Sequence, residues 1–204
     1  MKIICIGRNY VAHIQELNNE IPDEPVFFMK PDSSLLRNND PFFIPEWTTD
    51  VHHEVELVLR VSRLGKGIEK RFAHRYYDAV GLGIDFTARD VQNQLKAKGL
   101  PWEKAKAFDR AAVIGSEFLP VESFNDLKNI GFRLDINGNT VQNGNSGLMI
   151  YDFDTIISYV SRFVTLKIGD LIYTGTPVGV GPVHPGDLLA GYLGDQEMFR
   201  FKIK

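Results

Sequence analysis

The chain has 204 residues, a length that predicts one domain spanning residues 1–204. Its 23 basic and 26 acidic residues give a formal charge of −3, so the basic surface typical of nucleic-acid-binding proteins is absent. No apolar stretch approaches the roughly 18 residues of a membrane span. The one cysteine, Cys5, excludes an intramolecular disulfide and a multi-cysteine metal site. We therefore expect a cytoplasmic protein that binds neither nucleic acid nor membrane.

The first quarter of the chain alternates strand-like segments with proline-rich connections. Residues 2–6 predict a short strand, and Asn9 has the side chain of an N-cap for a helix over 10–17. Five prolines then divide residues 22–45 into extended pieces and turns. The segment 51–61, which is rich in Val and Leu, is the clearest predicted strand of the chain.

A second apolar run covers residues 79–86 and carries one acid, Asp85, near its end. The residues that follow it, 87–90, resemble a capping box, although Asp in its last position is the weaker form. The helix that they would start runs over 88–98 and should end at Gly99, because glycine is the usual residue just beyond a helix C-terminus.

The later chain consists of short predicted strands separated by turn residues. Asn-Gly pairs at 137–138 and 143–144 and a Gly/Pro series from 175 to 186 predict turns. One more helix is predicted over 154–163 because its apolar residues recur at helical spacing. Few helices, many short strands and dense turns together predict a β-rich α+β fold, a sandwich or a distorted barrel.

Two glutamates lie inside the clearest strand. Period-two geometry places Glu54 and Glu56 on one face, about 7 Å apart along the strand. The motif alone favours a solvated strand face, with Val55, Leu57 and Leu59 turned inward. The alternative is a divalent cation between the two carboxylates, because such a cation removes the repulsion that two buried like charges would have.

Asp85 adds weight to the metal interpretation. An acid that closes an apolar run should be nearly buried and needs partners. It is either a carboxylate favoured by the N-terminus of the following helix or the third ligand of an all-oxygen triad suited to Mg²⁺ or Mn²⁺. His52 and His53 are not favoured as zinc ligands, since no paired cysteines or His-x₃-His spacing accompany them.

Three further segments carry candidate chemistry, each with an ordinary structural alternative. His13 and Glu16 share a face of the first predicted helix and could form an acid–base pair, although spacing alone favours a surface pair. Lys106 could bind a carboxylate or be an exposed lysine. The turn 174–177 could present backbone N–H groups to an oxyanion or be a plain turn.

Six stretches in one order carry a family resemblance. They are IGRNY at 6–10 with His13 and Glu16, FMKPDSS at 28–34, HEVE at 53–56, GIDFTARDVQ at 83–92, GLPWEKAKAFD at 99–109, and GDLIYTGTP at 169–177 followed by GVGP at 179–182. Together they resemble the fumarylacetoacetate hydrolase family, and most closely its short acylpyruvase/oxaloacetate decarboxylase type. Each stretch alone is a weak signal, whereas the ordered set is highly specific.

The resemblance implies a mixed β-sandwich roll and a homodimer, with Mg²⁺ or Mn²⁺ as the cofactor. The residues that match the family's functional positions are Glu54, Glu56 and Asp85 as metal ligands, His13 and Glu16 as the catalytic dyad on a lid segment, Gln92 and Lys106 as groups that orient substrate or water, and Arg8, Lys30 and Thr176 as residues of the substrate site. Two positions depart from the usual pattern: Val178, where relatives often carry Glu, and Ser146, where Thr is usual.

The resemblance also implies a reaction on a 2-oxo acid. We expect hydrolysis of the C–C bond of acylpyruvates first, accompanied by decarboxylation of oxaloacetate. A 2-hydroxyhepta-2,4-diene-1,7-dioate type of isomerase is the alternative, because a metal that stabilises an enolate serves all three reactions. A non-catalytic metal-binding relative is the remaining alternative, and filled positions for base and ligands argue against it.

Overall fold

The computed structural model describes residues 1–16 and 22–204. In this part of the chain the helices are α1 (Val11–Glu16), α2 (Arg89–Ala97), α3 (Glu103–Lys106) and α4 (Phe153–Phe163). The strands, in chain order, are β1 (Ile3–Gly7), β2 (Val26–Lys30), β3 (Leu35–Leu36), β4 (Val51–His53), β5 (Val55–Val61), β6 (Tyr77–Asp85), β7 (Thr87–Ala88), β8 (Ala112–Ile114), β9 (Leu119–Pro120), β10 (Gly131–Ile136), β11 (Asn139–Asn145), β12 (Leu171–Tyr173), β13 (Gly181–Pro182), β14 (Leu188–Leu193) and β15 (Gln196–Lys202). No helix within these two ranges is long and apolar enough to cross a lipid bilayer.

The described strands form three sheets. The largest has eight strands in the order β2-β1-β12-β5-β6-β8-β3, with β9 paired to β6. It is mixed, because β1 runs parallel to β12 and β3 parallel to β8, while its other neighbours are antiparallel. A four-stranded sheet, β11-β10-β14-β15, and a three-stranded sheet, β13-β4-β7, complete the architecture. The structure confirms the β-rich α+β class predicted from the sequence.

The main hydrophobic core joins the two larger sheets. Leu57 and Leu82 of the eight-stranded sheet belong to the same buried cluster as Leu134 and Phe199 of the four-stranded sheet. Helix α4 adds the apolar face predicted for it. Because each fully buried side chain of this size stabilises the fold by roughly 1.5–3 kcal/mol, the core fixes the position of β5 and β6 firmly.

Strand β5 is buried on both faces. Leu57 faces the main core, whereas Val58 packs with Cys5 and Tyr173 in a second cluster on the opposite face. The solvated strand face considered for the two glutamates is therefore wrong: Glu54 is 6% exposed and Glu56 2% exposed. Carboxylates at these positions need polar or charged partners inside the protein.

The predicted strand 51–61 is interrupted at Glu54. The residues before it, in β4, pair with β7 and β13, whereas those after it, in β5, pair with β6 and β12. The Glu54 carbonyl accepts a hydrogen bond from the Asp85 N–H at 2.8 Å. Glu54 therefore lies at the junction of two sheets, and its carboxylate still shares one side with that of Glu56, as predicted.

Two predicted local motifs are also wrong. No side chain caps α2, since Thr87 lies in β7 and the Asp90 carboxylate accepts hydrogen bonds from Thr48 and Thr49. The Asn-Gly pair at 143–144 lies inside β11, where a Cβ on residue 144 would come within 2.5 Å of the Phe132 ring. The Asn-Gly pair at 137–138 does form the predicted turn, between β10 and β11.

Asn9 joins segments that are distant in sequence. The prediction that it caps α1 is wrong, because its side-chain oxygen accepts the Tyr151 N–H at 2.8 Å. Its amide group donates to the carbonyls of Thr174 at 2.8 Å and Tyr151 at 3.1 Å. Asn9 is fully buried, so these bonds tie the end of β1 to the end of β12 and to the approach to α4. The predicted end of α1 at residue 17 lies outside the described residues.

Replacing Asn9 by alanine tests this link. We expect Asn9→Ala to lower the free energy of unfolding by about 2–3 kcal/mol, because buried backbone groups lose their partners. Urea unfolding followed by circular dichroism measures the change. Asn93→Ala, at an exposed position on α2, is the control and should stay within about 0.5 kcal/mol of wild type. If both variants unfold at the same urea concentration, the amide contacts do not hold these segments together.

Candidate metal and catalytic site

Three buried carboxylates converge where two sheets meet. Glu54 occupies the break between β4 and β5, Glu56 follows on β5, and Asp85 ends the neighbouring antiparallel strand β6. Each offers an oxygen, and these oxygens lie within 4.8 Å of one another. The triad that the sequence suggested is therefore brought together by the pairing of β5 with β6, which continues to a hydrogen bond between the Asp85 N–H and the Glu54 carbonyl.

The backbone of Gly175 closes one side of the triad. Its N–H donates to Glu56 Oε2 at 2.6 Å. The residue has φ of +99°, a conformation that favours glycine, and a Cβ here would lie 2.7 Å from the Cβ of Asn9. A glycine is required at this position because any side chain would disturb both the turn after β12 and its approach to Glu56.

Cationic side chains contact two of the three acids. Lys106 donates to Glu54 at 2.8 Å and to Asp85 at 2.7 Å, and the Lys30 ammonium lies 2.6 Å from the other Asp85 oxygen. The Arg89 guanidinium pairs with Glu54. Glu56 is different, since no ion-pair partner for it is found over residues 1–16 and 22–204.

This arrangement shifts the pKa values of the two glutamates in opposite directions. Burial opposes ionisation of Glu54, but the charges of Lys106 and Arg89 outweigh it and hold its pKa well below the ordinary value. For Glu56, burial and then the negative charges of Asp85 and Glu54 raise the pKa well above the ordinary value. Burial lowers the pKa of Lys106, but Asp85 and Glu54 reverse the effect and raise it. Glu56 is therefore the carboxyl group that a further cation would stabilise most as an anion.

The donor set fits a hard divalent cation. Carboxylate oxygens are the ligands preferred by Mg²⁺ and Mn²⁺, and three of them face one another here. Glu56, which lacks a cationic partner in the described chain, supplies the electrostatic reason for a cation at this point. The two histidines considered for zinc bind elsewhere: His53 Nδ1 contacts Gln142 at 2.8 Å, and His52 Nε2 contacts Asp50 at 2.9 Å.

Helix α1 places a histidine at the same cavity. His13 Nδ1 lies 3.2 Å from Glu16 Oε2, and Glu16 Oε1 accepts the Gly179 N–H at 3.0 Å. An ionised carboxylate can only accept a hydrogen bond, so Glu16 places the proton of a neutral imidazole on Nδ1 and leaves Nε2 as the proton acceptor. His13 is 6% exposed and lines the cavity next to the triad.

The remaining predicted residues divide into two groups. The cavity beside the triad is lined by four of them: Arg8, Gln92, Lys106 and Thr176. Lys30 is not among its lining residues, and its ammonium donates to the carbonyls of Phe86, Lys106 and Ala111 besides pairing with Asp85. The predicted substrate contact of Lys30 therefore has no support in this placement, and its evident role is to offset the charge of Asp85.

Thr176 lines the cavity, but its hydroxyl group already forms two hydrogen bonds within the protein. The hydroxyl donates to the Val55 carbonyl at 2.8 Å and accepts from Gln142 Nε2 at 2.9 Å. These bonds fix the turn after β12 against the start of β5. A role of Thr176 in substrate binding stays a prediction, and the structure gives the side chain a positioning function first.

Arg89 is a site residue that the sequence reasoning missed. It is 6% exposed, pairs with Glu54, and donates to Gln92 Oε1 at 2.6 Å. The signal was present in the spacing, since residues 89 and 92 share a face of the predicted helix. Because residue 89 also lies in the expected capping box, the sequence pattern indicated a helix start at this position and not a site residue.

Comparison of the sequence with known proteins identifies a family and several relatives. The Fumarylacetoacetate (FAA) hydrolase C-terminal family matches residues 2–202. The mitochondrial oxaloacetate decarboxylase of Dictyostelium discoideum is 45% identical over 189 residues, which are 92% of this chain and 86% of that protein. An oxaloacetate tautomerase of Escherichia coli (strain K12) is 41% identical over 189 residues, with the same coverage of 92% and 86%.

Solved structures give the same result for the fold. The fumarylpyruvate hydrolase of Pseudomonas aeruginosa, in complex with Mn²⁺ and pyruvate, has a TM-score of 0.93 and 32% identity, and the match covers 100% of this chain and 89% of that one. The similarity confirms the predicted fold type. Since both the sequence match and the structural match extend over nearly the whole chain, this protein belongs to the fumarylacetoacetate hydrolase family.

Proposed function

We propose that this chain is a divalent-metal-dependent enzyme of 2-oxo acids, and that its first substrate is oxaloacetate, which it tautomerises or decarboxylates. The observation that carries the proposal is the buried triad of Glu54, Glu56 and Asp85 with an oriented histidine lining the same cavity. The two relatives described above, at 41% and 45% identity, are named for oxaloacetate reactions and support this choice of substrate.

Glu54, Glu56 and Asp85 are the residues that would hold Mg²⁺ or Mn²⁺. A divalent cation, when bound, supplies positive charge that polarises the 2-oxo group and stabilises negative charge on its oxygen. Lys106, which bridges Glu54 and Asp85, holds these two carboxylates in place. Lys30 forms a second ion pair with Asp85, on its other oxygen.

His13 is the proposed proton carrier. In tautomerisation its Nε2 takes a proton from C3 of the keto form and delivers it to the enolate oxygen, which leaves His13 neutral again; the reverse path regenerates the ketone. In decarboxylation the C3–C4 bond breaks, its electron pair forms the enolate, CO₂ leaves, and a protonated His13 returns a proton to C3. Glu16 keeps the imidazole in the required orientation and tautomer.

Hydrolysis of acylpyruvates is the second candidate. The same His13–Glu16 pair could activate a water molecule that attacks the C4 carbonyl, after which the C3–C4 bond breaks to give a carboxylic acid and pyruvate. The likeness to a fumarylpyruvate hydrolase favours this reaction. The homodimer and the cytoplasmic location stay predictions; the relative from Dictyostelium discoideum is named as mitochondrial.

A comparison of substrates tests the proposal. We expect the protein with Mg²⁺ or Mn²⁺ to convert oxaloacetate faster than acetylpyruvate or 2-hydroxyhepta-2,4-dienedioate. The absorbance of the enol measures tautomerisation, and a coupled assay with lactate dehydrogenase measures the pyruvate that is formed. Rapid cleavage of acetylpyruvate without turnover of oxaloacetate would make the second candidate correct, whereas preferred turnover of the dienedioate would favour the isomerase. No turnover of any of the three would contradict an enzymatic role in this chemistry.

Metal binding is tested by thermal unfolding. A metal present at about 100 times its Kd should stabilise the wild-type protein by about 2.7 kcal/mol and raise its Tm. Glu56→Gln keeps the size of the side chain, removes its charge, and should lose this increase. Glu46→Gln, at an exposed position, should retain it. An equal increase in Tm for wild type and Glu56→Gln would place the metal elsewhere.

His13→Ala separates chemistry from metal binding. We expect turnover of oxaloacetate to slow by about 10²-fold or more, because a general acid–base group is lost. The metal-dependent increase in Tm should remain, since His13 is not one of the three carboxylate ligands. His184→Ala, at an exposed position, controls for loss of any histidine. Turnover by His13→Ala at the wild-type rate would show that another group carries the proton.

A further inference from the structure

Helix α2 lines the cavity with a row of side chains that leads away from the triad. Arg89, Gln92 and Lys96 are spaced by three and four residues, so they share one helix face, and all three line the cavity. Arg89 contacts Glu54 directly, and it also donates to Gln92. Lys96 begins about 10 Å further along the helix axis from Arg89, at a rise of about 1.5 Å per residue.

Lys96 lies at the cavity wall and forms no ion pair with an acid of the described residues. Its Nζ lies 5.3 Å from the centroid of the Trp102 ring, another lining residue, and the side chain is half-buried. In the described part of the chain no carboxylate lies within ion-pair distance of this ammonium. Arg89 and Lys106, by contrast, are both paired with Glu54. Lys96 is thus a cationic group whose charge the cavity does not neutralise locally.

The surroundings of Lys96 disfavour the charged form of its amino group in the absence of a bound anion. Burial, followed by the nearby charges of Arg89 and Arg8, lowers the pKa of Lys96 from its ordinary value. A carboxylate entering the cavity would reverse this effect, since an opposite charge within a few ångströms favours the charged form of a lysine. The ammonium and the Trp102 ring together offer a wall that suits a carboxylate at the end of a short carbon chain.

We propose that Lys96 binds the distal carboxylate of the substrate and makes the enzyme selective for 2-oxo diacids over 2-oxo monoacids. The inference rests on the proposed function, because the 2-oxo end of the substrate must lie at the triad for the other end to lie along α2. Lys96 is thereby a specificity-determining residue at the outer end of the row, whereas His13 and the three acids act on the 2-oxo end.

Binding of two matched ligands tests the proposal. 2-Oxoglutarate and 2-oxopentanoate have the same five-carbon chain, and they differ in a terminal carboxylate against a methyl group. Calorimetry on the metal-loaded protein should show 2-oxoglutarate binding more tightly to wild type. Lys96→Gln should weaken 2-oxoglutarate by about tenfold, as expected for a charged hydrogen bond at a half-buried site, and leave 2-oxopentanoate unchanged. Lys98→Gln, at an exposed position two residues on, should change neither.

Kinetics give a second, independent result. In Lys96→Gln the KM for oxaloacetate should rise by about tenfold with little change in kcat, because the lost contact is remote from the reacting carbons. Equal weakening of both ligands, or no weakening of either, would overturn the role of Lys96 while leaving the proposed function in place. If wild type binds neither ligand and does not convert oxaloacetate, the proposed function fails first and the inference fails with it.

Discussion

The repulsion among three buried carboxylates is the constraint around which this structure is built. In a medium of low dielectric, like charges a few ångströms apart destabilise one another strongly. Glu54, Glu56 and Asp85 nevertheless converge within 4.8 Å. Their positions are maintained because β5 and β6 are fixed by a core that joins two sheets. The stability of that core is what allows an electrostatically unfavourable cluster to persist in a folded protein.

The compensation for these charges is unequal, and this inequality is what favours the proposed binding of a cation. Lys30, Lys106 and Arg89 form ion pairs with Asp85 or Glu54, whereas Glu56 receives a hydrogen bond from a backbone amide and has no ion-pair partner among the described residues. A fully neutralised cluster would have little affinity for a metal ion, and an uncompensated one would oppose folding. The observed distribution lies between these extremes and leaves one carboxyl group for an added cation.

The sequence predicted the parts of the site that depend on local pattern. An acid closing an apolar run located Asp85, and helical spacing located the buried face of α4 and placed His13 and Glu16 on one face without deciding their role. It did not predict the strand break at Glu54 or the tertiary contacts of Asn9, which reach a residue 165 positions away. Those features depend on which strands become neighbours, and periodicity carries no information about that. The fold type and the set of metal ligands came instead from the ordered family motifs.

The site has two regions of different local stability. The exposed hydrogen bond from Gly179 to Glu16 belongs to the less stable one. The carboxylates belong to strands with both faces buried, so exposing them requires breaking the core. The described part of helix α1 spans six residues, and the contact of Glu16 with the turn is exposed to water, so separating them costs less than opening the core. The contact between Glu16 and the turn can therefore open while the three carboxylates stay in place. Local opening at α1 and the stability of the carboxylate cluster thus depend on separate parts of the same small fold.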